Sequence, residues 1–153
     1  MHPVTVDAFS SVPFGGNPAG VAVFDDKLPE EAEMRRIAAK MGYSETAFIL
    51  PLGGNRFRIR YFTPVEEVPL CGHATVGSFA YMLKTGLVRE GESYVAQTGA
   101  GDINVDIADG LVWLDMAEPK PLAFLNDTDS AALAAAYGIS AADMGKLKPA
   151  ISN

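Results

Sequence analysis

The strongest constraint in this sequence is the stretch 68–83, which contains no Asp, Glu, Lys or Arg. A helix over these residues would be apolar on all sides, and such helices lie buried inside a fold. The stretch is too short, and too interrupted by Gly72, His73 and Gly77, to span a membrane, which takes about 20 apolar residues. It therefore predicts a central helix wrapped by a sheet, with N-terminal amides exposed beside Gly72 and His73.

The residues around this stretch show strand patterns separated by Gly, Pro, Asn or Asp. Two helices interrupt them: an amphipathic surface helix at 29–42 and the apolar helix at 73–84. The buried stripe of the first helix is predicted to be Met34, Ile37, Ala38 and Met41. Seven short strands indicate an α+β fold with a barrel or curled sheet around the apolar helix. The predicted strands are 4–9, 19–24, 46–50, 57–62, 93–97, 102–107 and 111–116.

Charge and cysteine content exclude several classes of protein. The net charge is −7 and the twelve basic residues are scattered, which argues against nucleic acid or an anionic membrane as a partner. Arg56, Arg58 and Arg60 alternate along a strand and predict its solvent-facing side. The single cysteine cannot form an internal disulfide, and the N-terminus lacks the pattern of a signal peptide. We therefore expect a cytoplasmic protein.

The last third of the chain follows a different pattern. Residues 118–121 break the strand pattern like a linker, and 127–137 predict an alanine-rich helix that ends at Gly138. Residues 140–144 predict one more turn, and 149–153 the beginning of a strand. We expect one domain over 1–117, with 118–153 as a linker and the incomplete start of a second domain.

Glu45 and His73 are candidates for proton transfer, each with a structural alternative. Glu45 precedes an apolar strand, so its carboxylate could face a pocket as a proton shuttle or remain exposed at a strand edge. His73 could bind substrate and assist proton transfer, or cap the apolar helix. The other histidine is His2 at the terminus, so no metal site of several histidines is expected.

Cys71 and Asn17 also allow two interpretations. At a helix N-terminus the pKa of Cys71 would be lowered, as a catalytic thiolate requires, but a free cysteine more often serves as a small buried hydrophobic residue. Asn17 lies in the run Gly-Gly-Asn-Pro, which predicts a sharp turn on any interpretation. Its amide could bind a carboxylate, or serve the turn alone.

Four motifs, in order, resemble the phenazine-biosynthesis PhzF-like family, whose fold is shared by diaminopimelate epimerase and proline racemase. They are Asp7-Ala8-Phe9 through Phe14-Gly15-Gly16-Asn17-Pro18, Ser44-Glu45-Thr46-Ala47-Phe48, Ile59-Arg60-Tyr61-Phe62-Thr63-Pro64 and Pro69-Leu70-Cys71-Gly72-His73-Ala74-Thr75-Val76-Gly77. The resemblance covers the first domain and weakens towards the end. It implies one half of a pseudo-symmetric fold of two domains, each a curled sheet around a central helix, with the active site between them.

The same resemblance assigns expected roles to residues. It implies Glu45 as the general acid and base, and a cleft lined by Gly72 and His73, with Ala74 also binding substrate and the loop of Asn17 nearby. Cys71 departs from many members, which have a small residue there, and is similar to the Cys-Gly motif of the epimerases and racemases. That motif would make Cys71 an alternative base.

The predicted function is an isomerase, without metal or organic cofactor, that moves a proton on a small carboxylated metabolite through Glu45. Two alternatives remain open. One is an epimerase or racemase that uses Cys71 as a base, and the other is a non-catalytic binding or assembly domain. We also expect a homodimer or larger assembly, because an unpaired strand edge invites pairing with another chain.

Overall fold

The computed structural model describes residues 2–116, 118, 121–140, 143 and 150–152. Contacts divide the chain into two units, Met1–Asp115 and Met116–Asn153. The predicted boundary lies two residues later. The first unit contains the strands β1 Val4–Ala8, β2 Asn17–Val23, β3 Thr46–Gly53, β4 Arg56–Phe62, β5 Glu67–Val68, β6 Ser93–Thr98, β7 Gly101–Ala108 and β8 Leu111–Leu114, and the helices α1 Glu31–Met41 and α2 Gly72–Lys84.

Within the described residues of the first unit, one mixed sheet holds all eight strands in the order β1-β2-β3-β4-β6-β7-β8, with β5 paired to β4. Two neighbouring pairs are parallel, β2 with β3 and β4 with β6. Parallel strands need a crossover connection, and α1 lies in the first crossover and α2 in the second. The sheet curls around α2, which packs on β1, β2, β3 and β8. The predicted α+β fold with a central helix is confirmed.

The two helices lie against opposite faces of the sheet because side chains alternate along the strands. In β3, Ala47 and Ile49 belong to the core around α2, whereas Phe48 packs with α1. Met34 and Ala38 form the buried part of the α1 stripe with Ile37 beside them, whereas Met41 is half-buried. Helix α1 ends at Gly42, which has the left-handed φ of 73° that favours glycine.

Helix α2 is buried on the side that meets the sheet. Phe79 and Met82 are fully buried, and Gly77 permits close packing because a Cβ there would lie 3.4 Å from Val6 Cγ1. The sequence predicted burial on all sides, and the structure differs from this in part. Ala80 is exposed and Val76 is half-buried. One strip of the helix is therefore left open by the sheet.

The outward face of β4 carries the three alternating arginines. Arg56 pairs with Asp102, Arg58 donates to Gln97 and Arg60 pairs with Glu67. Their predicted position on the outer side of a strand is confirmed.

Several boundaries differ from the sequence expectations. Strand β1 ends at Ala8 because Phe9 adopts a left-handed φ of 64°, and β8 ends at Leu114. The sharp turn predicted around Asn17 lies earlier, where the Gly15 amide donates to the Val12 carbonyl, and Asn17 already belongs to β2. The short strand β5 was not predicted.

The second unit contains β9 Pro121–Phe124, α3 Asp127–Tyr137 and β10 Ala150–Ser152. Strands β9 and β10 pair antiparallel. The predicted α3 is confirmed, with an Asn126 side-chain cap and Gly138 at its end. The linker assignment is wrong at residue 121, where β9 begins. Most of the turn predicted at 140–144 lies outside the described residues.

Candidate active site

Glu45 lies immediately before β3, where buried residues fix its backbone. Its carbonyl accepts a hydrogen bond of 3.0 Å from the Gly20 amide. Gly20 must be glycine here, because a Cβ would lie 2.5 Å from Thr46 Oγ1. The Thr46 side chain is fully buried, while the Glu45 side chain keeps 22% of its surface exposed. A tightly packed strand end thus presents one carboxylate that solvent can reach.

The N-terminus of α2 is held from inside the core. Cys71 is the N-cap residue, and its carbonyl accepts hydrogen bonds from the Thr75 amide at 3.0 Å and the Thr75 hydroxyl at 2.7 Å. Tyr61 Oη lies 2.6 Å from Thr75 Oγ1. Since the single hydroxyl proton of Thr75 is already donated to Cys71, Tyr61 is the donor in this pair. Burial raises the pKa of Tyr61, so it keeps its proton.

Three reactive side chains meet at this helix end. Cys71 Sγ lies 3.3 Å from His73 Nδ1, and His73 Nε2 lies 3.5 Å from Glu45 Oε2. The His73 side chain is only 12% exposed, and its Nε2 atom is buried without a hydrogen-bond partner among the described residues. One potential ligand atom from each residue falls within 4.8 Å of the others. We call Glu45, Cys71 and His73 the triad.

The amides in the first turn of α2 form the other half of the site. The first helical N–H groups have no carbonyl partner within the helix, and the Thr75 amide is the one that bonds to Cys71. The amides of Gly72, His73 and Ala74 precede it. A Cβ at Gly72 would meet no atom within 4 Å in the described part of the chain. Open space therefore lies beside amides that can bind an anion.

Cys71 corrects one expectation drawn from the sequence. A helix N-terminus was expected to lower its pKa, but burial raises the pKa of the thiol to about 11. The negative charge of Glu45 adds to this shift, and the amides of Ala74 and His73 only partly oppose it. Loss of hydration outweighs the helix dipole, because the residue is 8% exposed. The thiol is protonated at neutral pH.

Asn17 is not part of the triad. It is exposed at the start of β2, paired with Ala8 across the hairpin. Within the described residues its side chain makes no recorded bond to Glu45, Cys71 or His73.

The Tyr61–Thr75–Cys71 hydrogen bonds were missed by the sequence analysis. Tyr61 alternates with Ile59 on the buried side of β4, a pattern typical of core packing that gives no sign of a polar role. The spacing of Thr75 four residues after Cys71 was the available signal, because a threonine can bond the carbonyl of residue i−4.

The sequence model of the PhzC-PhzF family, described as phenazine biosynthesis-like protein, matches residues 6–151. The chain therefore belongs to this family. No helix among the described residues combines the length and hydropathy needed to cross a membrane.

Individual relatives agree with this assignment. The chain is 39% identical to "Uncharacterized isomerase YfhB" of Bacillus subtilis over 147 residues, covering 95% of this chain and 50% of the relative. The crystal structure of a putative phenazine biosynthesis PhzC/PhzF protein from Clostridium difficile is 31% identical, with a TM-score of 0.73, over 90% of this chain and 51% of that one. This chain thus spans about half the length of these relatives.

The fold extends to more distant proteins. A predicted epimerase from Pseudomonas aeruginosa has a TM-score of 0.75 at 22% identity, over 98% of this chain and 55% of that one. At this identity the likeness concerns the fold alone. It confirms the expected relation to epimerase-like folds.

Proposed function

We propose that this chain carries one wall of an isomerase site, in which Glu45 moves a proton between carbon atoms of a small carboxylated substrate. The observation that carries the proposal is the Glu45 carboxylate, 3.5 Å from His73 at the N-terminus of the buried helix α2. A carboxylate next to an anion-binding helix end supplies a base and a cradle for the substrate. The relative named an isomerase, YfhB, supports the reaction class.

The geometry suggests a division of roles. The substrate carboxylate would accept hydrogen bonds from the amides of Gly72, His73 and Ala74. Glu45 would take a proton from carbon and return it to another carbon, so that no net proton is gained or lost. His73 would donate a hydrogen bond to the charge that develops on the substrate. Proton transfer of this kind requires no metal or organic cofactor, which is part of the proposal.

An epimerase that uses Cys71 as its base is less well supported. Its thiol lies close to the other two groups, but its raised pKa of about 11 leaves little thiolate at neutral pH. Glu45 therefore remains the proposed base. A role confined to binding or assembly predicts that the parent protein itself catalyses no exchange.

Deuterium incorporation tests this proposal. Small carboxylic acids are incubated in D₂O with the longest natural form of the protein that contains this chain, and deuterium at carbon is measured by NMR. We expect Glu45→Gln to reduce exchange by about 10²–10⁴-fold, because glutamine keeps the shape but cannot accept a proton. Glu66→Gln, at an exposed glutamate outside the triad, is the control. Exchange by the Glu45 variant within tenfold of the parent would refute the role of Glu45.

We also propose that copies of the chain associate, and that they act in the cytoplasm, where the single thiol would stay reduced. The sheet ends at β8, a short edge strand on which Leu111 and Trp113 are more than half exposed. Sedimentation at micromolar concentration should show a dimer or larger species, and a Trp113→Lys variant should shift it towards monomer. A monomeric parent chain would contradict self-association.

A further inference from the structure

The triad combines three different types of metal ligand in a small volume. A thiol, an imidazole and a carboxylate each bring one atom to within 4.8 Å of the others. Zn²⁺ binds cysteine sulfur at about 2.3 Å and histidine nitrogen or carboxylate oxygen at about 2.0–2.2 Å, so tetrahedral ligand atoms lie about 3.4–3.6 Å apart. The observed separations are 3.3 Å from Cys71 Sγ to His73 Nδ1 and 3.5 Å from His73 Nε2 to Glu45 Oε2, so each is close to this range although the two involve different ring nitrogens. We propose that Cys71, His73 and Glu45 bind one Zn²⁺ ion.

The state of His73 supports this proposal independently of the distances. Its Nε2 atom is buried and makes no hydrogen bond among the described residues, although it lies 3.5 Å from Glu45 Oε2. Buried polar atoms are normally hydrogen-bonded, so a ring nitrogen that faces a carboxylate without a hydrogen bond is compatible with an ion held between the two groups. A metal ion bound through one ring nitrogen would leave the other free to bond to water or substrate.

Small movements complete the coordination. The ion uses only one nitrogen of the ring, so either the thiol or the carboxylate must approach that nitrogen more closely than it does now. Glu45 is the group placed to do so, because its side chain is partly exposed. Cys71 and His73 are fixed by the first turn of α2. Three protein ligands would leave a fourth position open to water, as in catalytic rather than structural zinc sites.

Charge and ligand type determine which cation fits. On binding, the thiol proton passes to solvent and a sulfur–metal bond forms, so one thiolate and one carboxylate neutralise the divalent ion. Sulfur and nitrogen ligands favour Zn²⁺ and Co²⁺ over the hard cations Mg²⁺ and Ca²⁺, which prefer oxygen. In the proposed isomerase, a bound ion would occupy Glu45 and block proton transfer. That consequence depends on the proposed function, whereas metal binding does not.

Cobalt titration of the 153-residue chain tests the site without any assay of activity. Co²⁺ bound to a thiolate gives a sulfur-to-cobalt charge-transfer band in the near ultraviolet, and Cys71 is the only cysteine in the sequence. We expect this band to saturate at one Co²⁺ per chain and to disappear when Zn²⁺, the tighter binder, is added. Mg²⁺ should have no effect. A band that saturates at one ion per two chains would mean a metal shared between copies, and would overturn the proposal.

Variants separate the triad from other ligands. Cys71→Ser should abolish the charge-transfer band, and Glu45→Gln should weaken Zn²⁺ binding by about tenfold or more, since even changes around metal ligands reach that scale. His2→Gln removes the exposed second histidine and serves as the matched control. Circular dichroism verifies that each variant is folded. Absence of the band in the parent chain, loss of it in the His2 variant, or Zn²⁺ affinity unchanged in both triad variants would refute the site.

Discussion

Helices α1 and α2 are similar in length but differ at their N-termini. The first turn of α1 contains Glu31 and Glu33, whose carboxylates neutralise the positive end of the helix dipole. The first turn of α2 contains no acidic residue. Helix α3 resembles α1, with Asp127 and Asp129 in its first turn. Among these three helices, α2 is therefore the one whose own first turn supplies no carboxylate to its positive end.

The beginnings of α1 and α2 also differ in how far the chain's own side chains occupy them. In α1 the acidic side chains also pair with Arg35 and Arg36 one turn later, so the helix satisfies its own charges. In α2, Gly72 leaves open space where a Cβ would touch nothing in the described residues. Packing among the described residues thus does not require glycine here, and a bound ligand in that space would account for it.

Gly72→Asp should make the end of α2 resemble that of α1. The new carboxylate would occupy the open space and repel an anion, so we expect carboxylate binding to weaken by about tenfold or more, which corresponds to roughly 1.4 kcal/mol. Helix stability should rise by about 0.3–1 kcal/mol. Calorimetry with the tightest binder from a panel of small carboxylic acids measures the first effect. Gly72→Ala is the uncharged control, and equal binding by the Asp variant and the parent would show that no anion binds there.

The thiol at the end of α2 should react slowly. Because the pKa of Cys71 is raised to about 11, its thiolate fraction at neutral pH should be about 100-fold or more below that of an ordinary cysteine with pKa near 8.5. Alkylation by iodoacetamide should be correspondingly slow, and its rate should rise about tenfold per pH unit until the pH approaches 11. Rapid alkylation at neutral pH, blocked by a carboxylate ligand, would instead favour the epimerase in which Cys71 is the base.

The hydrogen bonds beneath α2 should matter more for stability than the surface pairs of α1. Thr75→Val leaves the buried Tyr61 hydroxyl without its acceptor and should cost about 1–3 kcal/mol in the free energy of unfolding. Tyr61→Phe should cost less, about 0.5–1.5 kcal/mol. The double variant should lose less stability than the two single variants lose together, because it contains no buried hydroxyl donor without an acceptor. Chemical denaturation measures all three, and additive costs would mean that the two residues do not interact.

The smallest effect on stability is expected for the ion pair between Arg60 and Glu67. This pair lies near the start of α1, because Glu31 is 3.4 Å from the same arginine. The Arg60 hydrogen bond lowers the pKa of Glu67 in the folded protein. The ionised Glu67 side chain therefore contributes its full stabilisation above the ordinary pKa of glutamate. This stabilisation is lost as the pH falls through the lowered pKa of the folded protein. Glu67→Gln should cost less than about 1 kcal/mol at pH 7 and nothing at the acidic limit. If Glu67→Gln destabilised the protein equally in acid, the loss would come from packing and not from the ion pair.

The sequence predicted the parts of this fold that depend on local pattern. The uncharged stretch identified α2 because a helix without a polar side has to be buried, and the apolar run at 46–50 and the alternation at 57–62 identified β3 and β4. Strand β5 was missed because two residues carry no periodicity. Phe9 ended β1 through a left-handed backbone that its residue type does not favour.

The site was predictable only in part, because its properties arise from long-range packing. The motifs identified Glu45, Cys71 and His73, and the structure brings them together. The pKa of Cys71 could not be predicted, since it depends on how deeply the surrounding strands bury the thiol. The support from Tyr61 also required a contact between a strand and a helix. Asn17 looked similar to the other motif residues in the sequence, yet it lies exposed on the hairpin.

The most direct test of the central claim is an NMR titration of the ¹⁵N-labelled chain with a small carboxylic acid that binds it. If the end of α2 is the anion site, the amide signals of Gly72, His73 and Ala74 should shift together and saturate, while those of Ala32 and Glu33 in the first turn of α1 remain in place. The same shifts should be absent in Gly72→Asp. Equal shifts at both helix ends, or saturable shifts that leave α2 unaffected, would contradict the account.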